Sequence, residues 1–138
     1  TESPNIFQLK SIVLNMINDL QIQLTHSVRK YSSFIEESLN YIKEHLEDDL
    51  SLEQIAQHVH INKSYFSRTF KKECGDFVIS YITNLRINKA KELLATSNLK
   101  TFEISETVGI HDPAYFSVIF KKNTGMSPKA YRDQFLNV

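Results

Sequence analysis

The chain has 138 residues, of which 41% are hydrophobic and 23% are charged, and these values are ordinary for a globular protein. Three glycines and three prolines allow few turns, which favours an all-α fold over a sandwich or a barrel. No apolar run approaches the roughly 18 residues of a membrane span. Cys74 is the only cysteine, so composition excludes both a membrane-helix protein and a disulfide scaffold. We therefore expect a cytoplasmic protein of one or two small helical domains.

The net charge of zero hides a division along the chain. Residues 1–50 carry four basic and eight acidic side chains, whereas residues 51–138 carry twelve basic and eight acidic ones. The second part therefore has a net charge of +4, which is too modest to indicate nucleic-acid binding without further features.

Two helices are predicted before residue 50. Residues 6–24 place apolar side chains at helical spacing. Such a helix has to cover its apolar stripe, either against its own domain or against a second copy or an upstream domain. The chain starts at Thr1 rather than at Met, which suggests a piece of a longer protein. Residues 32–47 form the second helix, and the acidic residues 47–49 mark its exit because they are unfavourable at a helix C-terminus.

The next segment predicts a short helix, a tight turn and a longer helix. Ser51 and Gln54 form a capping box at the start of the short helix. Asn62 caps the longer helix, and Gly75 ends it in the left-handed conformation. A long helix over residues 77–96 follows. Its predicted core-facing residues are Ile79, Ile82, Leu85, Ile87, Ala90, Leu93 and Leu94.

The same order of signals then returns. Thr101 is predicted to cap another short helix. Asp112 followed by Pro113 starts another longer helix, with an acidic cap and a proline at the first helical position. The remaining boundaries are predicted at Gly109, Gly125 and Ser127-Pro128.

The two longer helices have nearly the same sequence. SYFSRTFKK at residues 64–72 and AYFSVIFKK at residues 114–122 are identical at six of nine positions. Each copy has the outline of a helix-turn-helix, and two copies are too few for a solenoid. The repeat therefore predicts two modules of the same kind.

Each longer helix has one apolar and one polar face. Phenylalanines four residues apart point inward, as Phe66 and Phe70 do in the first copy. The opposite face carries small and polar groups with a cation at its end, which suits entry into a DNA major groove. The alternative is a solvated helix face. These residues are Lys63, Ser64, Ser67, Arg68 and Lys71 in the first copy, and Pro113, Ala114, Ser117, Val118 and Lys121 in the second.

The length of the linking helix favours DNA. A helix of about twenty residues spans about 30 Å. Successive major-groove faces on one side of B-DNA lie about 34 Å apart. One chain is therefore able to place the helices at about 63–74 and 113–124 in adjacent major-groove segments.

Four segments of the sequence closely resemble one known protein family. SLEQIAQHV, SYFSRTFKKECG, LRINKAKELL and VGIHDPAYFSVIFKKNTGMSPKAYR resemble, in order and spacing, the DNA-binding domain of AraC/XylS-type transcription regulators. The resemblance covers about residues 32–136. It implies an all-α, homeodomain-like domain of two helix-turn-helix subdomains joined by a long linker helix, to which this chain adds an N-terminal helix. The expected divisions are 1–30 (N-terminal linker or helix), 31–76 (first module), 77–97 (linker helix) and 98–138 (second module).

The resemblance also implies a function. It implies binding to double-stranded promoter DNA, usually for activation, and a sensory or receiver domain upstream of this segment. Some regulators of the family also contact RNA polymerase. A dimer through residues 6–24 or through the upstream domain is a further expectation.

Carried over residue by residue, the resemblance implies two kinds of DNA contact. Arg68 stands where the family commonly has an arginine, and a bidentate contact to guanine is expected. Val118 stands where the family often has a second arginine, so the second module is expected to contribute methyl contacts instead. The implied base contacts are Ser64, Ser67, Arg68, Pro113, Ala114, Ser117 and Val118. The implied phosphate contacts are Lys63, Tyr65, Lys71, His111, Tyr115 and Lys121.

The sequence supports metal binding, catalysis and protein interaction less well than it supports DNA binding. His58 and His60 lie two apart on a short helix and point to different faces, so we predict no metal site. Cys74 has no histidine at a recognisable spacing, and we predict neither catalysis nor a cofactor. The rival function is a helical protein-interaction module whose lysines are solubilising. Salt dependence separates the two, because binding through phosphates weakens steeply as salt rises.

Overall fold

The computed structural model describes residues 10–18 and 31–136, and every regular element in these ranges is an α-helix. The all-α prediction is confirmed. The predicted helical residues 6–9 and 19–24 lie outside the described residues. The helices are α1 (residues 10–18), α2 (Ser33–Glu44), α3 (Leu52–His58), α4 (Lys63–Cys74), α5 (Val78–Thr96), α6 (Thr101–Thr107), α7 (Pro113–Thr124) and α8 (Pro128–Leu136). The chain divides into one unit up to Ser32 and a second unit from Ser33, which contains α2–α8.

The caps of the first module are those that the sequence predicts. The amide of Gln54 donates to Ser51 Oγ and the amide of Ser51 donates to Gln54 Oε1, both at 3.1 Å. Asn62 Oδ1 accepts from the amide two residues on at 3.0 Å and from the amide three residues on at 3.2 Å. Gly75 follows α4 with a φ of 84°. Local side-chain acceptors and one glycine therefore set these boundaries.

The second module repeats these caps with one exception. Asp112 Oδ1 accepts from the amides of Ala114 and Tyr115 at 3.0 and 3.2 Å, as predicted. The prediction that Thr101 caps α6 is wrong, because Thr101 is already helical and Lys100 is the N-cap residue. The amide of Lys100 donates to Glu103 Oε1 at 3.2 Å, so a carboxylate from within the helix satisfies this end.

Each module has an aromatic core of the same geometry. The rings of Phe66 and Phe70 lie 5.8 Å apart, and Tyr81 meets Phe70 edge-on at 5.4 Å. In the second module the Phe116–Phe120 distance is 5.7 Å, and Tyr131 meets Phe120 edge-on at 5.5 Å. Such edge-to-face pairs are the favoured aromatic arrangement. The repeat in sequence is therefore a repeat in packing.

Helix α5 is shared between the modules. Its first half contributes Tyr81 to the first core, and its second half contributes Ile87, Ala90 and Leu94 to the second. The prediction that Ile79 faces the core is wrong, because 53% of Ile79 is exposed. Val78 and Ile82, four residues apart, are both buried and define the core face, from which Ile79 is rotated by about 100°.

Two arginines bind the open C-terminal ends of helices in this unit. Arg86 of α5 donates from Nε to the Leu46 carbonyl at 3.2 Å and from Nη2 to the Asp48 carbonyl at 2.8 Å. Arg132 of α8 donates from Nε to the Leu94 carbonyl at 3.1 Å and from Nη2 to the Ser97 carbonyl at 3.2 Å. These carbonyls follow or end a helix and have no helical donor, so each guanidinium satisfies two of them. Burial lowers the pKa of Arg86, whose guanidinium contacts the segment between α2 and α3.

Candidate nucleic-acid interface

The first candidate surface is the outer face of α4. Ser64 and Arg68 are exposed and Ser67 is partly exposed, and together with Leu52 and Lys63 they line an open recess of about 420 Å³. Arg68 Nε donates to the Ser64 carbonyl at 3.3 Å, one turn earlier on the same helix. This bond steers the guanidinium along the helix and leaves its other N–H groups for a second acceptor.

Two lysines of this surface contact neighbouring side chains. The Lys63 ammonium contacts the Glu53 carboxylate of α3, and this pair lowers the pKa of Glu53. The Lys71 ammonium lies 3.9 Å from the ring centre of Phe77. Both cations remain at the surface, held by a carboxylate and by an aromatic face respectively.

The matching surface of α7 is less polar. Pro113, Ala114 and Val118 are exposed, with Val118 64% exposed, and Ser117 is partly exposed. Lys121 is exposed at the end of the same face. The two helices are alike in geometry. Their outer faces differ in chemistry at three of the five matching positions, which are Lys63 against Pro113, Ser64 against Ala114, and Arg68 against Val118.

The tyrosines and His111 flank these faces. Tyr65 is 52% exposed and Tyr115 is 56% exposed, so each phenol ring is half in solvent. His111 Nδ1 lies 2.9 Å from Glu106 Oε1, and its Nε2 lies 3.6 Å from Asp49 Oδ1. The ring therefore joins the turn of the second module to the loop that precedes α3.

Two contacts at this surface were not predicted from the sequence. Glu53 lies ten residues before its partner Lys63, and Phe77 lies six residues after Lys71. Neither separation belongs to the three- or four-residue spacing of a helix surface, so no local pattern could indicate these pairs. Only the packing of α3 and the start of α5 against α4 brings them together.

The described residues give little support to a metal site, a membrane span or a reactive cysteine. In residues 10–18 and 31–136, no group of three or more His, Cys, Asp and Glu side chains is placed to hold a metal ion. No helix in the same ranges has the length and apolar character needed to cross a bilayer. Burial raises the pKa of the Cys74 thiol to about 11, which disfavours the reactive thiolate.

The sequence matches a known family. The family described as "Helix-turn-helix domain" matches residues 55–134, which is more than half of the chain and spans α3 to α8. The match therefore covers both copies of the repeat.

Regulators from several bacteria are similar to this chain. The regulatory protein PocR of Salmonella typhimurium is 34% identical over 110 residues, which cover 80% of this chain and 36% of that protein. The arabinose operon regulatory protein of Escherichia coli is 31% identical over 127 residues, covering 88% of this chain and 44% of that protein. The transcriptional activator Btr of Bacillus subtilis is 40% identical over 120 residues, covering 86% of this chain and 23% of that protein. The chain thus spans less than half the length of these relatives.

Two solved structures have the same arrangement of helices. The C-terminal domain of AraT, a response regulator from Geobacillus stearothermophilus, is 37% identical with a TM-score of 0.74, over 77% of this chain and 88% of that one. The DNA-binding domain of AdpA, solved in complex with a target DNA, is 26% identical with a TM-score of 0.72, over 75% of this chain and 94% of that one. The repeated helix-turn-helix, the family match and these neighbours agree, and the chain belongs to the AraC/XylS family of helix-turn-helix transcription regulators, whose DNA-binding domain it contains.

Proposed function

We propose that this protein binds promoter DNA sequence-specifically, with α4 and α7 in adjacent segments of the major groove. The observation that carries the proposal is the repeated helix face. Two helices with closely similar distances between their core phenylalanine rings present a polar and a mainly apolar surface to solvent. Helix α5 has 19 residues and is about 28 Å long, close to the roughly 34 Å between major-groove faces on one side of B-DNA.

The base contacts differ between the two half-sites. In the first module Arg68 donates to the O6 and N7 atoms of guanine, and Ser64 and Ser67 bond to neighbouring base edges. In the second module Val118 packs against a thymine methyl, because its isopropyl group is exposed and has no hydrogen to donate. Pro113, Ala114 and Ser117 complete this side through close approach and one hydroxyl. Guanine readout therefore lies mostly in the first half-site.

The phosphate contacts flank the two helices. Lys63, Lys71 and Tyr65 take this role in the first module, and Lys121 and Tyr115 take it in the second. The Lys63 ammonium is paired with the Glu53 carboxylate and has to contact a phosphate in competition with that pair. The Lys71 ammonium lies over the Phe77 ring in the structure. A phosphate contact by His111 stays a prediction, and it requires the ring to turn from Glu106 and Asp49.

Selection of bound sites from random duplex DNA tests the proposal. The expected result is two half-sites one helical turn apart, with a guanine required in the first and an A·T-rich second. Arg68→Ala should lose about 1–3 kcal/mol on the selected site and little on a scrambled duplex. Lys43→Ala, which removes one exposed cation from α2, is the charge-matched control. An equal loss for Arg68→Ala on both duplexes would remove the base-reading role.

Salt dependence separates this proposal from a protein-interaction module. Each phosphate contact contributes a slope of about −0.9 to the logarithm of affinity against the logarithm of salt concentration. Fluorescence anisotropy with a labelled duplex between about 0.05 and 0.2 M salt should therefore show a steep decline. Affinity that is independent of salt and of duplex sequence would favour the interaction module.

The wider activity of the whole protein follows from this binding. We propose that it activates transcription from its promoters in the bacterial cytoplasm, with contact to RNA polymerase, and that it works by binding and not by catalysis. The name of the relative Btr, a transcriptional activator, supports activation.

Helix α1 is proposed to pack against a second copy or an upstream domain. Its apolar side chains are exposed over 44–59% of their surface, and they are Ile12, Val13, Leu14, Met16 and Ile17. Analytical ultracentrifugation of the wild type and of Val13→Ser/Ile17→Ser distinguishes these two partners. A dimer that the double variant loses indicates a second copy.

A further inference from the structure

A groove lies where the start of α5 meets the flank of α7. It has a volume of about 230 Å³ and is open to solvent. The first two turns of α5 provide one wall and the side of α7 provides the other. The lining residues are Ile79, Ser80, Thr83, Asn84, Tyr115, Ile119, Lys122 and Asn123.

The position of this groove follows from the chain order. Helix α4 ends at Cys74 and α5 begins at Val78, so one wall starts just beyond the end of the first recognition helix. The other wall is the second recognition helix itself. The groove thus joins the second recognition helix to the start of the helix that follows the first one, and the two recognition helices are proposed to enter two successive major-groove segments. Between two such segments B-DNA presents its minor groove and the sugar–phosphate strands that border it.

The chemistry of the lining suits a sugar–phosphate strand. Ser80, Asn84 and Lys122 are exposed and carry hydroxyl, amide and ammonium donors, and none of the described lining residues is a carboxylate. The Thr83 hydroxyl donates to the Ile79 carbonyl at 3.0 Å, so its hydrogen is already used. The donors that remain to face a ligand therefore come from both walls.

Ile79 and Tyr115 give the floor of the groove exposed apolar surface. Ile79 is 53% exposed and Tyr115 is 56% exposed, although each has a large apolar surface. An exposed apolar patch next to convergent donors is typical of a binding site rather than of a solvated helix face. Deoxyribose carbons would cover this floor while the phosphate oxygens meet the donors.

The nearest carboxylate does not oppose this arrangement. Asp76 Oδ1 accepts from the amide of Phe77 at 2.8 Å, and Asp76 Oδ2 lies 3.5 Å from the side-chain nitrogen of Asn84. Asp76 therefore closes the turn before α5 and holds Asn84 with one of its two amide hydrogens. The other hydrogen of that amide is left for a ligand.

We propose that this groove binds the DNA sugar–phosphate strand between the two half-sites, with Lys122 pairing with a phosphate and Ser80 and Asn84 donating to its oxygens. The inference rests on the proposed function and adds a third contact region to it. It assigns a role to Lys122, whereas Lys72, the counterpart of Lys122 in the first copy, does not line this groove. Because phosphates are common to all sequences, the groove strengthens binding and fixes half-site spacing without reading bases.

Two variants test the groove in the complete chain. Lys122→Gln removes the ammonium, and losing one phosphate contact should flatten the salt slope by about 0.9 and weaken binding roughly fivefold to tenfold at about 0.1 M salt. Ser80→Asp places a negative charge in the groove and should weaken binding roughly tenfold at the same salt. Ser80 is the third residue of α5, where an acidic side chain is favourable at a helix N-terminus, so this variant should fold as well as the wild type. Lys43→Gln is the control, with an equal loss of charge outside the groove.

Neutral linkages in the DNA test the same contact from the other side. Methylphosphonates are placed one at a time between the two half-sites of the selected duplex. The affinity of the wild type should fall roughly fivefold to tenfold at one such linkage. The affinity of Lys122→Gln should not fall further there, because the ammonium that pairs with this phosphate is already absent. Wild-type tolerance of every neutral linkage, or a Lys122→Gln variant that behaves like Lys43→Gln, overturns the inference while selective binding to two half-sites stands. Loss of that selectivity in the wild type would instead overturn the proposed function.

Discussion

Gly109 is the position where one methyl group is expected to cost the most stability. It lies in the turn of the second module with a φ of 90°, and a Cβ built on it would lie 2.3 Å from the Leu46 carbonyl oxygen and 3.0 Å from Arg86 Nε. Gly125 has a similar φ of 80°, but a Cβ there meets nothing within 4 Å. Comparing Gly109→Ala with Gly125→Ala therefore separates the cost of the left-handed backbone from the cost of the close approach.

The size of each effect can be worked out from these contacts. A left-handed alanine costs about 1–2 kcal/mol. Loss of glycine freedom in the unfolded chain returns about 0.4–1 kcal/mol. Gly125→Ala should therefore lower the free energy of unfolding by no more than about 1.6 kcal/mol. At Gly109 the Leu46 carbonyl has to retreat by about 1 Å and lose its bond from Arg86, which adds about 1–3 kcal/mol.

Urea denaturation followed by circular dichroism measures both variants. Gly109→Ala should unfold at a distinctly lower urea concentration than Gly125→Ala, with the same dependence on urea. Equal destabilisation of the two variants, within about 0.5 kcal/mol, would refute the close approach between the turn and the segment after α2.

Three further predictions follow. His60 holds a φ of 58° at the position that Gly109 occupies in the second module, so His60→Gly should raise the free energy of unfolding by about 0.5 kcal/mol, the relief of strain less the added chain freedom; a lower urea midpoint would contradict this. Val118→Arg should introduce a guanine into the second half-site recovered by selection from random DNA and favour that duplex by about 1–3 kcal/mol; an unchanged selected sequence would show that residue 118 does not face bases. The pKa of the Cys74 thiol is raised by burial from 9.0 to about 11, so its contribution to stability is complete below pH 9 and is lost as the pH rises towards 11. The stability of Cys74→Ser, measured by thermal unfolding at each pH, should therefore decline less over that range than the stability of the wild type. Parallel declines would contradict the burial of the thiol.

Much of the fold was predictable because helix ends are specified locally. Ser51, Asn62, Asp112 and Gly75 each act within three or four residues, and each has the predicted role in the structure. Lys100 was missed because the acceptor at that end is the carboxylate of Glu103, which lies inside the helix. The N-cap position itself therefore carries no Ser, Thr, Asp or Asn that would have marked the start of α6.

The candidate site divides in the same way. The faces of α4 and α7 were visible from the repeat, because identical residues four apart mark the same side of a helix. The groove at Ile79 and Lys122 was not visible, because it joins two helices whose facing residues lie about forty positions apart. Sequence periodicity treated Ile79 as core, whereas the packing of Val78 and Ile82 leaves it in solvent.

The amino-acid sequence by itself determined most of the helix ends, that two of the helices repeat, and that an arginine in one is a valine in the other. The helix ends are determined in this way because they depend on backbone hydrogen bonds and side chains within about one helical turn. Only the tertiary structure decided that Arg86 binds the carbonyls of Leu46 and Asp48, that Gly109 has no room for a methyl group, and that polar donors from α5 and α7 share one groove. These contacts join residues far apart in the chain, and burial is a property of such contacts and not of any single stretch of sequence.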